Sequence, residues 1–201
     1  KANTVVTSSM IAKSDEKTTN DLRIQEYNML RLSSQIAAED YIDIRFRMPS
    51  GEDYIVVSKK KVEIPQIDGV DSATTIWLQL TEDEILTMSN AIVENYMIEG
   101  SVLYTAKYVE PGTQEKATPT YVPSEAVQNL LRNNDSNILN TAKLALLTRY
   151  QGNSDVRNNI NNTKNSIDPD DVATNISTGV KQEVSTAQEQ RQDYLDALSG
   201  K

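Results

Sequence analysis

Tyr41-Ile42-Asp43-Ile44-Arg45-Phe46-Arg47 sets Ile42, Ile44 and Phe46 on one side of an extended chain and Asp43, Arg45 and Arg47 on the other, the alternation of a half-buried strand. Pro49-Ser50-Gly51-Glu52 supplies turn chemistry, and Tyr54-Ile55-Val56-Val57 returns as a β-branched strand, so the pair reads as a hairpin. Lys61 to Ile64 either extends it or forms a third short strand. Alternation recurs from Thr74 to Leu80, with Ile76, Leu78 and Leu80 on one face, and the period changes at Thr81. Thr81 and Glu84 have the spacing of a capping box, and Glu82 and Asp83 suit the positive end of a helix dipole. Ile85, Met88, Ile92 and Tyr96, flanked by Leu86, Val93 and Met97, give a helical apolar face that stops at Gly100. Strand alternation resumes from Ser101 to Val109 and ends at Pro111-Gly112.

Outward from this centre the signals change. Lys1 to Asn20 is rich in Ser, Thr and Lys, which predicts weak order. Leu22 to Ile36 fits neither period and reads as a short strand followed by a turn or helical piece. Pro119 to Pro123 suggests an extended linker. Ser124 can cap a helix carrying Val127, Leu130 and Leu131, and a second helix carries Ile138, Leu139, Ala142, Leu146 and Leu147 before Gly152. Between Asn153 and Asn165 only Val156 and Ile160 are apolar, one helical turn apart. Asp168-Pro169-Asp170-Asp171 starts a last helix, since Pro and acids suit a first turn. Its narrow stripe of Ile176, Val180, Val184, Ala187, Tyr194 and Leu198 has coiled-coil spacing, but Gly179 and the interrupting Arg191 suit packing back on its own domain at least as well as pairing with a partner chain. The fold expected is α+β: a mixed β-sheet with a packed amphipathic helix, followed by a helical C-terminal region.

The chain has 201 residues and a net charge of −9, enough length to bury a real core and the wrong sign for phosphate contacts, so no nucleic-acid partner is expected. With one Phe and one Trp, that core must be built mainly from Ile, Leu and Val. Lys59-Lys60-Lys61 reads as a guard on a sheet edge. Cysteine and histidine are both absent, which removes disulfides, thiolate nucleophiles, Cys/His zinc sites and the usual neutral-pH proton shuttle. No run of about 18 apolar residues would span a membrane. Lys1 opens the chain without an initiator Met or a signal-peptide pattern, which reads as processing or trimming, with any anchor upstream.

No cluster demands a reaction. Glu82, Asp83 and Glu84 are explained by helix capping. Asp168, Asp170 and Asp171 resemble the start of a calcium loop, but Ala173 and Gly179 stand where an EF-hand needs Gly and Glu. Asp40 and Asp43 lie at the start of the first alternating strand, where Asp43 is expected to pair with Arg45 or a cross-strand Lys. No catalytic residue, cofactor or metal is assigned.

In order and spacing, these elements resemble the extracytoplasmic domain of the CpaB/RcpC family, which accompanies Flp-type (Tad) pilus systems and follows a SAF-like domain. The family's Gly-Asp-x-Val-Asp-Val strand appears as Glu39-Asp40-Tyr41-Ile42-Asp43-Ile44, with Glu39 in place of Gly. Its strand and threonine/acidic helix start are similar to Ile76-Trp77-Leu78-Gln79-Leu80-Thr81-Glu82-Asp83-Glu84. The resemblance covers roughly residues 22–110, and its motif positions are Asp40, Asp43, Thr81 and Glu84. It implies a non-enzymatic scaffolding component of a bacterial surface pilus assembly or secretion apparatus, extracytoplasmic and anchored through a segment before Lys1. Residues 1–21 would then end a preceding SAF-like domain, 22–122 form the RcpC-like domain, and 123–201 a helical extension. Partners would be other proteins of the apparatus, with Val180, Val184, Tyr194 and Leu198 as the contact surface or as a means of self-association. The alternative is a cell-wall glycan-binding module, because SAF-like relatives include carbohydrate binders and Tyr41, Tyr54 and Tyr104 could stack on sugars.

Overall fold

The computed structural model describes residues 19–67, 69–132 and 140–199. The expected N-terminal end piece up to residue 18 lies outside them, as do Ile138, Leu139 and the side chain of Ala142. Among the described residues, seven strands and five helices follow in order: β1 (Arg23–Tyr27), β2 (Tyr41–Arg47), β3 (Asp53–Glu63), β4 (Gln66–Ile67), β5 (Val70–Asp71), β6 (Ile76–Leu80), α1 (Glu82–Met97), β7 (Val102–Lys107), α2 (Glu125–Arg132), α3 (Asn140–Gly152), α4 (Ser154–Asn165) and α5 (Pro169–Ser199). The fold is α+β with a helical C-terminal region, as the periodicities predict.

Five strands form one sheet in the order β1-β6-β3-β2-β7, and β4 and β5 form a separate small hairpin. The sheet was expected to be mixed, but every ladder in it is antiparallel. The short turn at residues 48–52 between β2 and β3 favours an antiparallel pair, since a parallel pair needs a long crossover, and the α1 crossover joins strands that are not neighbours in the sheet. The parallel pairing found among the described residues is the isolated Arg31–Tyr104 bridge. Lys61 to Glu63 extends β3, which pairs with β2 on one side and β6 on the other. The three lysines therefore lie on an interior strand, just before Val62 and Glu63, which pair with β6. The lysine ammonium groups reach outward: Lys59 to the Gln114 carbonyl (2.6 Å), Lys60 to Glu84 (2.5 Å) and Lys61 to Glu39 (2.5 Å).

The alternating residues do face the core. Ile42, Ile44, Phe46, Ile76, Leu78 and Leu80 are all buried, and α1 covers them with Met88 and Ala91. Each such aliphatic or aromatic side chain contributes about 1.5–3 kcal/mol on full burial. The start of α1 is built as its spacing predicts: the Thr81 N–H donates to the Glu84 carboxylate (3.0 Å) within a capping box.

Two findings revise the reading of the C-terminal half. The Pro119–Pro123 segment is extended but does not hang free. Thr120 and Tyr121 both donate N–H bonds to the Ile55 carbonyl (2.9 Å each), and Tyr121 packs edge-on to Phe46 with ring centroids 5.9 Å apart. The polar stretch after Asn153 is helical as α4, and it places Ile160 in the same core as the sheet. Val122, Leu131, Leu146 and Tyr150 form a second apolar cluster, against which Leu86 and Val156 pack. No helix among the described residues is long and apolar enough to cross a membrane.

Candidate functional site

The four motif residues occupy two places on the sheet, and each is engaged in backbone geometry. Glu39 has φ +73°, in the left-handed region that glycine favours. Asp40 then accepts the Ala37 N–H (2.7 Å) and pairs with Lys107 (2.7 Å), which ties the turn to β7. Partial desolvation opposes ionisation of Asp40, but the Lys107 ammonium and the Ala37 N–H outweigh it and hold the carboxyl below its usual range. Asp43 does not pair with Arg45, whose guanidinium goes to Asp53 (2.7 Å). It accepts the backbone N–H of Lys59 (2.9 Å), a residue at φ +49° beside the irregular register of β2 and β3. The side chain of Asp43 thus supplies the bond that the irregular ladder denies to that N–H.

Thr81 and Glu84 stand at the end of β6, and Glu84 reaches β3 at Lys60, between the lysines that Asp43 and Glu39 bind. Glu84 caps α1 and also meets Lys60 (2.5 Å) and Lys116 (3.7 Å), so one carboxylate joins the helix start to β3 and to the loop after β7. Beside it a cavity of about 310 Å³ is lined by Asp83, Thr87, Lys116, Thr118 and Arg149 among others. Burial raises the Asp83 carboxyl above its ordinary value, partly countered by the Thr81 hydroxyl that donates to it (2.7 Å). Among the described residues, no group of three or more acids is arranged to hold a metal ion.

A third cluster is absent from the sequence reading. Glu94, on the inner face of α1, is fully buried. One carboxylate oxygen meets Arg157 (2.8 Å) and Lys164 (3.3 Å) of α4, and the other accepts the Tyr121 hydroxyl (2.7 Å). Arg157 also donates to the Val122 carbonyl (3.2 Å) and to Asn161 (3.0 Å). Burial first, and then the Glu94 carboxylate, push the Tyr121 phenol well above its ordinary value. The signal available in the sequence was Glu94 three residues after Ala91 and six after Met88, on the apolar face of a helix, where an unpaired acid would be prohibitive.

Of the α5 stripe, Val180 and Val184 turn away from the protein's own core. This helix crosses α1 at Gly179, where an added Cβ would fall under 3.0 Å from the Tyr96 ring. It is held by Tyr96 donating to Glu183 (2.8 Å), by Thr75 donating to Gln190 (2.5 Å), and by Gln190 donating to Thr74. Val180 and Val184 remain 45% and 49% exposed, and the side chains of Tyr194 and Leu198 lie outside the described residues. Of the tyrosines considered for stacking, Tyr54 is buried, and Tyr104 is hydrogen-bonded to Asp53 beneath Arg47.

These features define an α+β chain whose acidic positions cap, bridge and clamp. No family model, curated protein or solved structure matches it.

Proposed function

We propose that this chain is the extracytoplasmic part of a membrane-anchored, non-enzymatic scaffolding component of a bacterial surface pilus assembly or secretion apparatus. The observation that carries the reading is Glu39. The resembling family has Gly there, and this chain keeps the left-handed backbone (φ +73°) at a residue that does not favour it. Asp40 and Asp43 follow in register and hold the turn and the irregular ladder, while Thr81 and Glu84 fix the start of α1. Residues so employed give a rigid body on which other proteins can assemble. Deleting the gene in its host should abolish surface pili or secretion by the apparatus. Crosslinking the full-length protein in cells should recover pilin or envelope components of the same machine. Unchanged piliation and secretion in the deletion strain would refute the proposal, and recovery of wall glycan alone would favour the binding-module reading.

A further inference from the structure

The cavity of about 310 Å³ at the start of α1 is lined by a cation that the protein leaves without a counter-charge. Arg149 reaches it from α3, and the Arg149 Nε is shut off from solvent with no hydrogen-bond partner. The two carboxyl groups on the cavity wall are engaged elsewhere. Glu84 meets Lys60 (2.5 Å) and, more loosely, Lys116 (3.7 Å), while Asp83 accepts the Thr81 hydroxyl (2.7 Å). Beside the Arg149 guanidinium stands the Tyr150 ring, 5.4 Å from its carbon to the ring centroid, which brings no full charge. We propose that this cavity binds a monocarboxylate, its charged end on the Arg149 guanidinium and the Lys116 ammonium and its carbon chain against Val56, Ala117 and Pro119.

Charge and size select the ligand. Lys60, Lys116 and Arg149 bring three positive charges, and Asp83 and Glu84 bring two negative ones, so a single ligand charge neutralises the set. A phosphate group carries about −1.5 to −2 at neutral pH and would set its excess against Asp83 and Glu84. A carboxylate matches the planar fork of a guanidinium with two parallel hydrogen bonds. Lys116 can join it, since its side chain is 54% exposed and its contact with Glu84 is long. The burial that raises the Asp83 carboxyl lessens the like charge that a ligand meets. At about 30 Å³ per molecule of liquid water, the cavity has room for a short acid and none for a folded partner. Such a ligand is a free short-chain acid or the C-terminal carboxylate of a peptide, and the site stands apart from any scaffolding role.

Titration of the full chain followed by amide NMR separates the two sources, with butyrate as the free acid and N-acetyl-alanine as the peptide end. Saturable shifts are expected at Ala117, Thr118 and the first turn of α1, and the acid that binds more tightly names the source. The uncharged N-acetyl-alanine amide should bind at least tenfold more weakly, and Arg149→Gln should weaken the acids by a similar factor, the loss of a charge-assisted hydrogen bond. Lys116→Gln, at an exposed position, should weaken them too with thermal unfolding unchanged. Asp83→Asn removes a like charge, keeps an oxygen for the Thr81 hydroxyl and should tighten binding. The proposal is overturned if neither acid saturates the shifts by about 50 mM, far above a millimolar Kd. Tighter binding of inorganic phosphate, equal binding of the amide, or a folded Arg149→Gln that binds as before would also overturn it.

Discussion

The sheet with α1 and the helices after Ser124 are held by different forces. Between sheet and α1, Phe46, Leu78, Met88 and their neighbours exclude water along a continuous apolar layer. The later helices add Ile160 to that layer and a small cluster around Leu131 and Tyr150, but are fastened at the centre by Glu94, Arg157, Lys164 and Tyr121. A layer built on area tolerates small exchanges, since volume-conserving swaps in cores usually cost little. A buried charge cluster does not, because removing one partner leaves another charge without water or counter-ion.

The largest effect should come from breaking the cluster. Arg157→Met should destabilise the protein by about 3–5 kcal/mol in urea unfolding. Adding Glu94→Leu to it should recover part of that loss, and an additive result would show that the two sites are independent. Gly179→Val strikes the outer attachment. Its side chain collides with Tyr96, so α5 should lift and its amides lose hydrogen-exchange protection, at about 1–3 kcal/mol, while the sheet amides keep theirs.

Alkaline titration sharpens the contrast next. Burial raises the Tyr27 and Tyr121 phenols, and a nearby carboxylate (Glu84 and Glu94, respectively) raises each further. Above the ordinary tyrosine value of about 10, the unfolded chain releases these protons while the folded one retains them. Stability is therefore complete below that pH and falls as pH rises beyond it, by at most about 1.4 kcal/mol per pH unit for each tyrosine. Tyr121→Phe should flatten the slope through the removal of one such group, at the cost of its bond to Glu94. The smallest change tests the turn before β2. Glu39→Gly should stabilise by about 0.5–1 kcal/mol in thermal unfolding, because the relief of left-handed strain exceeds the added chain entropy and the loss of an exposed ion pair with Lys61.

The same division governs what the sequence discloses. Ile42, Ile44 and Phe46, or Thr81 and Glu84, announce their structure because neighbours in sequence cooperate within a few residues. The strand order does not follow from such signals, and so Lys59 to Lys61 read as edge lysines on what is an interior strand. Glu94 and Arg157 escaped because their meeting depends on long-range packing: each looks like an ordinary surface charge until α4 comes down on α1. The α5 stripe was legible as a pattern, but local spacing does not say which flank a helix turns to its own protein. Gly179 and Gln190, neither apolar, decide that.

Seventy residues separate Glu94 from Lys164. On a ribosome adding about 5–20 residues per second, Glu94 emerges roughly 4–14 s before Lys164, the later of the two cations that neutralise it. During that interval α1 cannot bury its inner face without an uncompensated carboxylate, so the apolar half should wait, loosely closed, for α4. Nascent chains arrested before Arg157 clears the exit tunnel should accordingly be cut by protease within α1, whereas chains released at full length should resist.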